Sequence, residues 1–530
     1  MRNLGLLVAV LATPAVAAPQ FSAEAFKAHV SFLADDLLAG RDTGSPGHEI
    51  ASRYVVAQLS AAGVTPAGAD GSWYQPVRLR EATLVPGSAA FSIDANRAAD
   101  DAVVVGANML AENLSLSAPV VFAGHCLVEP SLKIDDFRGL DVKGKIVACL
   151  TGFPKGLPSE TAAYLTDQRA RFVAARGAIG MISLWGKADE ARRPFASVIR
   201  DSSNPRMQRL NPDGSPFMFA PGLRGAAVLS TAVARQLFAG ARRSFDAVDA
   251  EGQTRSVRGF ALPSPVTITS QSRWRTITSH NVVGMVKGSD PALAEQIVVL
   301  GAHLDHIGTG TPINGDAINN GALDNAAGSA TLIEVAKATA ANPPKRSVLF
   351  VAATAEEKGL LGAEAFAANP TVDRSRIVSM IDLDMPILTY DFRDVTAYGA
   401  DHSTIAADVA AAAGEMGVAL APDPLPEETI FVRSDHYAFV QRGIPAIMLS
   451  TGFGGDGKAA WMDFLANHYH QPSDDLKLPI RWQQGARFAE LNWRIMDRLA
   501  NAATPPRWYK GDFFGDRFAP TADKAPPPAR

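Results

Sequence analysis

Ile297-Val298-Val299-Leu300-Gly301-Ala302-His303-Leu304-Asp305 decides how this chain reads. An apolar, largely β-branched run ends in small residues and then presents a histidine and, two residues on, an aspartate. In extended chain these two side chains share a face. The pattern recurs. Val348-Leu349-Phe350-Val351-Ala352-Ala353 leads to Glu356-Glu357, and Ile377–Leu383 leads to Asp384, with Asp382 inside the run. Asp324-Asn325 stands among small residues just before a helix expected over 325–341. His470 follows later, with Asp474 four residues beyond it and His468 as a neighbour. An α/β protein brings the ends of parallel strands to one edge of its sheet, where loops converge. Neutral imidazole and carboxylate are the ligands zinc takes where no thiolate is offered. A pair of metals further needs a carboxylate able to bridge them.

Taken singly, each segment has a plainer reading. Asp324 fits a helix N-cap, and Glu356-Glu357 fits an acidic helix start favoured by the helix dipole. Consecutive carboxylates at a buried strand end are costly unless something positive satisfies them. One can bind metal while the other acts as a base beside the nucleophilic water. Asp305 can ligate or orient a ligand, and Asp474 can hold the His470 imidazole. Periodicity does not choose between Asp382 and Asp384, or between His468 and His470.

Working outward, strand-like runs at 281–286, 297–300, 347–354, 377–383 and 446–449 alternate with helical stretches at 325–341, 361–368, 402–414 and 481–500. This predicts an α/β fold with a mixed, mainly parallel sheet and helices on both faces. Two helices are expected over 22–63, the first capped by Ser22, with a polar break at Gly40–Gly47 whose Arg41 and Asp42 are suited to fixing them against the catalytic core. Between them and the α/β unit lies a different β/α stretch, 115–260, in which 192–219 reads as an exposed loop. The tail after Pro505 is Pro-rich and is expected to be largely extended or disordered.

A chain of 530 residues implies two or three domains. With 47% hydrophobic and 20% charged residues the balance is globular, and a net charge of −4 without a strong basic run gives nucleic-acid binding no electrostatic support. The N-terminus has a secretory pattern: Arg2, the apolar stretch Leu4–Leu11, and Ala15-Val16-Ala17 as a small-x-small cleavage motif. Residues 1–18 are therefore expected to be a signal peptide and the protein exported, periplasmic or secreted, with no membrane span elsewhere. Export permits a bridge between the two cysteines, Cys126 and Cys149, if their strand-like runs are neighbours. No sequence feature sets the oligomeric state.

Two resemblances sharpen this reading. Gly139-Leu140-Asp141-Val142-Lys143-Gly144-Lys145 followed by the apolar run Ile146–Leu150 resembles a protease-associated (PA) domain, placed at 115–260. The segments Ala302-His303-Leu304-Asp305, Gly321-Ala322-Leu323-Asp324-Asn325, Ala355-Glu356-Glu357-Lys358-Gly359, Leu383-Asp384-Met385, Ser434-Asp435-His436-Tyr437-Ala438-Phe439 and Tyr469-His470-Gln471-Pro472-Ser473-Asp474 occur in order. Jointly they resemble the co-catalytic zinc aminopeptidases of peptidase clan MH, the leucyl aminopeptidase and aminopeptidase S group. That resemblance implies a zinc-peptidase, phosphorylase/hydrolase-like fold and two Zn2+ per chain, with other divalent metals able to substitute. It implies one zinc on His303 and Asp384, a second on Glu357 and His470, Asp324 bridging, and Glu356 as general base. Asp305, Asp474 and Asp435 would support them from behind. The substrates implied are peptides with a free N-terminus. The same scaffold also serves carboxypeptidases and dipeptidases, for which Arg433 and Arg442 are candidate carboxylate readers, as well as glutaminyl cyclases and inactive receptor-like binding proteins. The organisation expected is 19–114 and 261–504 as the catalytic domain, 115–260 inserted, and 505–530 as a tail.

Overall fold

The computed structural model describes residues 19–528 apart from Ser203. The expected signal peptide, 1–18, lies outside the described residues. A mixed sheet of thirteen strands forms the backbone of the larger unit. At its centre Ser347–Ala353, Ile297–His303, Ile377–Leu383 and Ala446–Thr451 run parallel, side by side in that order. Antiparallel strands flank them, Val266–Val286 on one side and Asp394–Tyr398 on the other. This is the mixed α/β sheet the sequence leads one to expect.

Both faces of the central strands are covered, which is why they read as unbroken apolar runs and not as alternations. Ile297–His303 and Ser347–Ala353 are buried at every position. Val298 and Leu300 face one layer with Phe26, Leu332 and Phe488, while Ile297 and Val299 face the other with Phe366 and Phe439. Each such side chain contributes about 1.5–3 kcal/mol by leaving water. The helix Ala23–Leu33 begins where Ser22 accepts from the Ala25 N–H, and it buries Phe26, Val30 and Leu33 at helical spacing. It packs on Ala327–Ala341 and Trp482–Asn501 on the same side of the sheet.

A second sheet of six strands has its own core of Phe122, Ile146, Ile182, Leu229, Val248 and Phe260. Val120–Phe122 and Ile146–Leu150 are parallel neighbours, and Cys126 is disulfide-bonded to Cys149. The edge strand Val103–Val104 belongs to this sheet, so the second unit gathers chain from ahead of residue 115. Two features bind it to the larger unit. Val266–Val286 pairs first with Asn113–Ala118, then with Tyr74–Leu84, and finally with Ser347–Ala353. Arg206–Arg209 crosses over and pairs with Tyr74–Leu84 at the edge of the large sheet.

That crossing strand, with the helix Phe195–Asp201 before it, corrects the expectation of a loop over 192–219. Its partner is distant in sequence, and its burial pattern is too irregular to signal a strand. The tail expectation is corrected too. Trp508 and Phe514 are buried, and the helix Phe513–Phe518 is capped by Asp512. The aromatic residues outweigh the proline content there.

His402 locks this tail down. Its Nδ1 faces Asp512 Oδ2 at 2.5 Å and its Nε2 faces a Glu160 carboxylate oxygen on the helix Ser159–Asp167. Desolvation opposes charge on His402, but Glu160 and Asp512 outweigh it and raise its pKa to about 10. A raised imidazole stabilises the fold fully below the unfolded value of about 6.5 and loses that contribution as pH rises through the folded value. The melting-temperature gap between wild type and His402→Gln should therefore be widest just below about pH 6.5 and shrink steadily toward about pH 10. A gap independent of pH would show that His402 acts by packing alone.

Candidate metal centre

The strand ends deliver their side chains to one small space. His303 closes the strand Ile297–His303, and Asp384 directly follows Ile377–Leu383. Glu356 and Glu357 follow Ser347–Ala353. Asp324 sits in the turn Ala322–Ala326 that opens the helix Ala327–Ala341, and His470 lies in the loop after Gly457–Asn467. Gly321 ahead of that turn has φ 60°, and a Cβ there would lie 2.2 Å from the Asp324 carbonyl oxygen, so only glycine fits.

The two oxygens of Asp324 face different partners. Oδ1 is 3.3 Å from His303 Nε2, which is also 3.2 Å from Asp384 Oδ1. Oδ2 is 3.4 Å from His470 Nε2, which is 3.0 Å from Glu357 Oε2. Asp324 thus stands between a His303–Asp384 group and a His470–Glu357 group. Asp324, Glu356, Glu357, Asp384 and His470 line one cavity of about 50 Å3, whose apolar wall includes Met385, Ile430, Met448, Trp461 and Leu465. Of the competing positions, Asp382 is turned to Ser434 and the His436 N–H, and His468 to Ser473.

The surroundings fix these side chains. His303 Nδ1 donates to the Asp305 carbonyl oxygen at 3.1 Å, leaving Nε2 free toward the acids. The Asp305 carboxylate instead accepts from Thr43 Oγ1 and from the Glu356 N–H. Asp474 does not hold His470 as its spacing suggests. It accepts from the Leu323 and Asp324 N–H groups and so secures the turn that carries Asp324. The Asp435 carboxylate is buried without a hydrogen-bond partner among the described residues, and burial with Asp382 nearby raises its pKa well above the usual range.

Two participants escape sequence reading. His306 Nδ1 lies 2.6 Å from Glu357 Oε1, and His306, Asp324 and Glu357 form a further trio able to hold a metal ion. Strand alternation puts residue 306 on the face opposite 303 and 305, yet the chain has already left the strand there. The other is the reach of Arg41, expected from sequence only to fix the N-terminal helices against the core. This fully buried guanidinium donates from Nε to the Leu304 carbonyl at 3.0 Å, from Nη1 to those of Asn320 (2.6 Å) and Leu33, and from Nη2 to that of Gly321 (3.1 Å). Burial lowers its pKa to about 10 against the pull of Asp474, Asp305 and Asp324, so it stays charged beside the acids. Asp42 next to it pairs with Lys358 at 2.8 Å.

Arg41→Ala should destabilise the fold by on the order of 3 kcal/mol or more, because several buried carbonyls lose their donors at once. Lysine should not rescue it, lacking the planar fork. Denaturant unfolding of both variants checks this, and a loss below about 1 kcal/mol would contradict it.

The electrostatics match a cation site. Burial pushes Glu356 up, and Asp384 and Glu357 add to it, so its pKa lies well above the carboxylate range. Burial would lower His303 and His470, but the acids around them raise both well above the ordinary imidazole value. Burial and Glu357 push Asp324 up, yet its bonds to the two imidazoles hold it low. Glu357 is likewise lowered, by His470 and His306 against its burial. The raised imidazoles thus bring positive charge among these acids, as a bound cation would. The nitrogen and oxygen donor set fits zinc.

Residues 281–496 match the family model described as Peptidase family M28. A probable leucine aminopeptidase 2 of Aspergillus fumigatus is 28% identical over 248 residues, 43% of this chain and 45% of that protein. Aminopeptidase Y of Saccharomyces cerevisiae is 30% identical over 212 residues, 38% of this chain and 35% of that protein. The chain thus spans less than half the length of these relatives. The solved aminopeptidase from Aneurinibacillus sp. strain AM-1 shares the fold, with a TM-score of 0.57 at 20% identity, covering 92% of this chain and 96% of that one. The strand ends that gather the acids and imidazoles accordingly lie within residues 281–496, the stretch that matches the model of Peptidase family M28.

Proposed function

We propose that the protein is an exported, two-zinc aminopeptidase that removes N-terminal residues from peptides. The observation that carries the metal assignment is the division of Asp324, one oxygen toward His303 and Asp384 and the other toward His470 and Glu357. These five residues would hold the metals, which supply Lewis acidity to acidify a water and polarise the peptide carbonyl. Glu356 opens into the same cavity without pairing to an imidazole. It accepts the proton of the attacking water and passes it to the leaving amine. The apolar wall formed by Met385, Ile430, Met448, Trp461 and Leu465 receives the side chain of the N-terminal residue, and the nearby acids receive its ammonium group. The aminopeptidase names of the relatives favour this direction of attack. The Cys126–Cys149 bridge and the leader pattern favour export, and the second sheet is assigned as a PA-type module.

Arg433 gives a carboxypeptidase reading its footing, since it lines the same cavity, where it bonds Tyr469 Oη at 3.0 Å and Glu428. Arg442, by contrast, pairs with Glu364 away from that cavity. A peptide panel with free and acetylated N-termini, before and after chelation and zinc add-back, separates the readings. Turnover restricted to free N-termini, lost on chelation and restored by zinc, is expected. Release of C-terminal residues from acetylated peptides would replace the reading with carboxypeptidase.

A further inference from the structure

Past Glu357 and His470 the small cavity gives way to a cleft of about 540 Å3, between the second unit and the large sheet. This lies within the range of roughly 300–1,000 Å3 that ligand sites occupy. One end is the candidate metal centre; the other is built by the second unit and by the crossing strand Arg206–Arg209. Besides His470 at the metal-centre end, three cationic side chains line it. Lys358 is neutralised by Asp42. Among the described residues, Arg206 and Arg224 have no ionic or hydrogen-bonding side-chain partner, and Glu357 is the one carboxylate that lines the cleft. Elsewhere Arg275 pairs with Glu81 at 2.6 Å and Arg176 with Asp135 at 3.3 Å, while Arg209 on the same crossing strand lies over the Phe217 ring and outside this cleft's lining.

Arg206 is also positioned. Its backbone is fixed opposite Ala82, and its side chain lies across Gly106, where a Cβ would come 3.1 Å from Nη1. It is exposed to solvent, as is Arg224, and desolvation by the protein around it lowers its pKa with no acid to compensate. A positive charge in that setting favours an anion from outside, and a planar guanidinium suits a carboxylate through paired hydrogen bonds.

We propose that this cleft takes the leaving-group end of a short peptide and that Arg206, assisted by Arg224, binds its C-terminal carboxylate. The proposal rests on the aminopeptidase reading. Cleavage would then depend on peptide length, with a free C-terminus rewarded only where it spans the distance from the metal centre to Arg206. Recognition comes from this chain's crossing strand and second unit, and the cavity beside the metals selects the N-terminal residue independently.

The test is a series of peptides with N-terminal leucine followed by one to five alanines, each as free acid and as C-terminal amide, with leucine p-nitroanilide alongside. For wild type, kcat/KM at one or two lengths should favour the acid by about tenfold or more, mainly through KM. Arg206→Gln should bring the acid-to-amide ratio near one, and Arg224→Gln should reduce it. The ratio is taken within each variant, so a general loss of activity cancels. Equal rates on acid and amide at every length in wild type would overturn the proposal. So would an acid preference untouched by both substitutions. If wild type hydrolyses neither leucine p-nitroanilide nor any peptide with zinc bound, the aminopeptidase reading itself fails.

Discussion

Glu356→Gln is expected to keep both zinc ions and the fold and to lose roughly 100- to 10,000-fold in kcat, the usual weight of a positioned general base. Glutamine preserves shape but has no basic oxygen to take a proton. The fold should tolerate the change because burial and the acids around Glu356 already disfavour its charge when no metal is bound. Its N–H, which donates to Asp305 at 3.1 Å, is untouched. Steady-state kinetics with metal analysis by mass spectrometry decides the matter. Turnover near that of wild type would remove Glu356 from the base role, and loss of zinc would make it a ligand.

Asp324→Ala should abolish activity by emptying the site altogether, from two zinc ions per chain to essentially none at buffered low free zinc. The effect should exceed that of Asp384→Ala, because Asp384 approaches His303 alone whereas Asp324 faces both imidazoles. The turn itself should survive, since the residue 324 N–H still meets Asp474. Two tightly bound zinc ions in Asp324→Ala would rule out a bridging role.

How legible was this in the sequence? The strands that carry the site announce themselves, because burial on both faces leaves unbroken runs such as Val348–Ala353, and each run ends beside a polar side chain. The order of those ends was enough for the α/β fold. Spacing leaves Asp384 against Asp382 and His470 against His468 open and the family resemblance picks the first of each; in the structure Asp384 lies beside His303 and His470 beside Glu357. What stayed hidden depends on distant chain. Asp474 serves the Asp324 turn across 150 residues, and Arg41 satisfies carbonyls at 304, 320 and 321, to which no local pattern points. His306 gives no signal of its own, because it lies past the end of Ile297–His303, where strand alternation no longer sets which way a side chain faces. The tail was misread because proline content masked the anchoring effect of Trp508 and Phe514.

The strand Val266–Val286 acts as a beam. It is hydrogen-bonded along its whole length, to 113–118, then 74–84, then 347–353, with no unpaired stretch to serve as a hinge. The second unit is therefore a fixed roof and not a flap. Under the aminopeptidase reading, the cleft between that roof and the large sheet would keep its width and would admit slack chain ends in preference to compact folded surfaces.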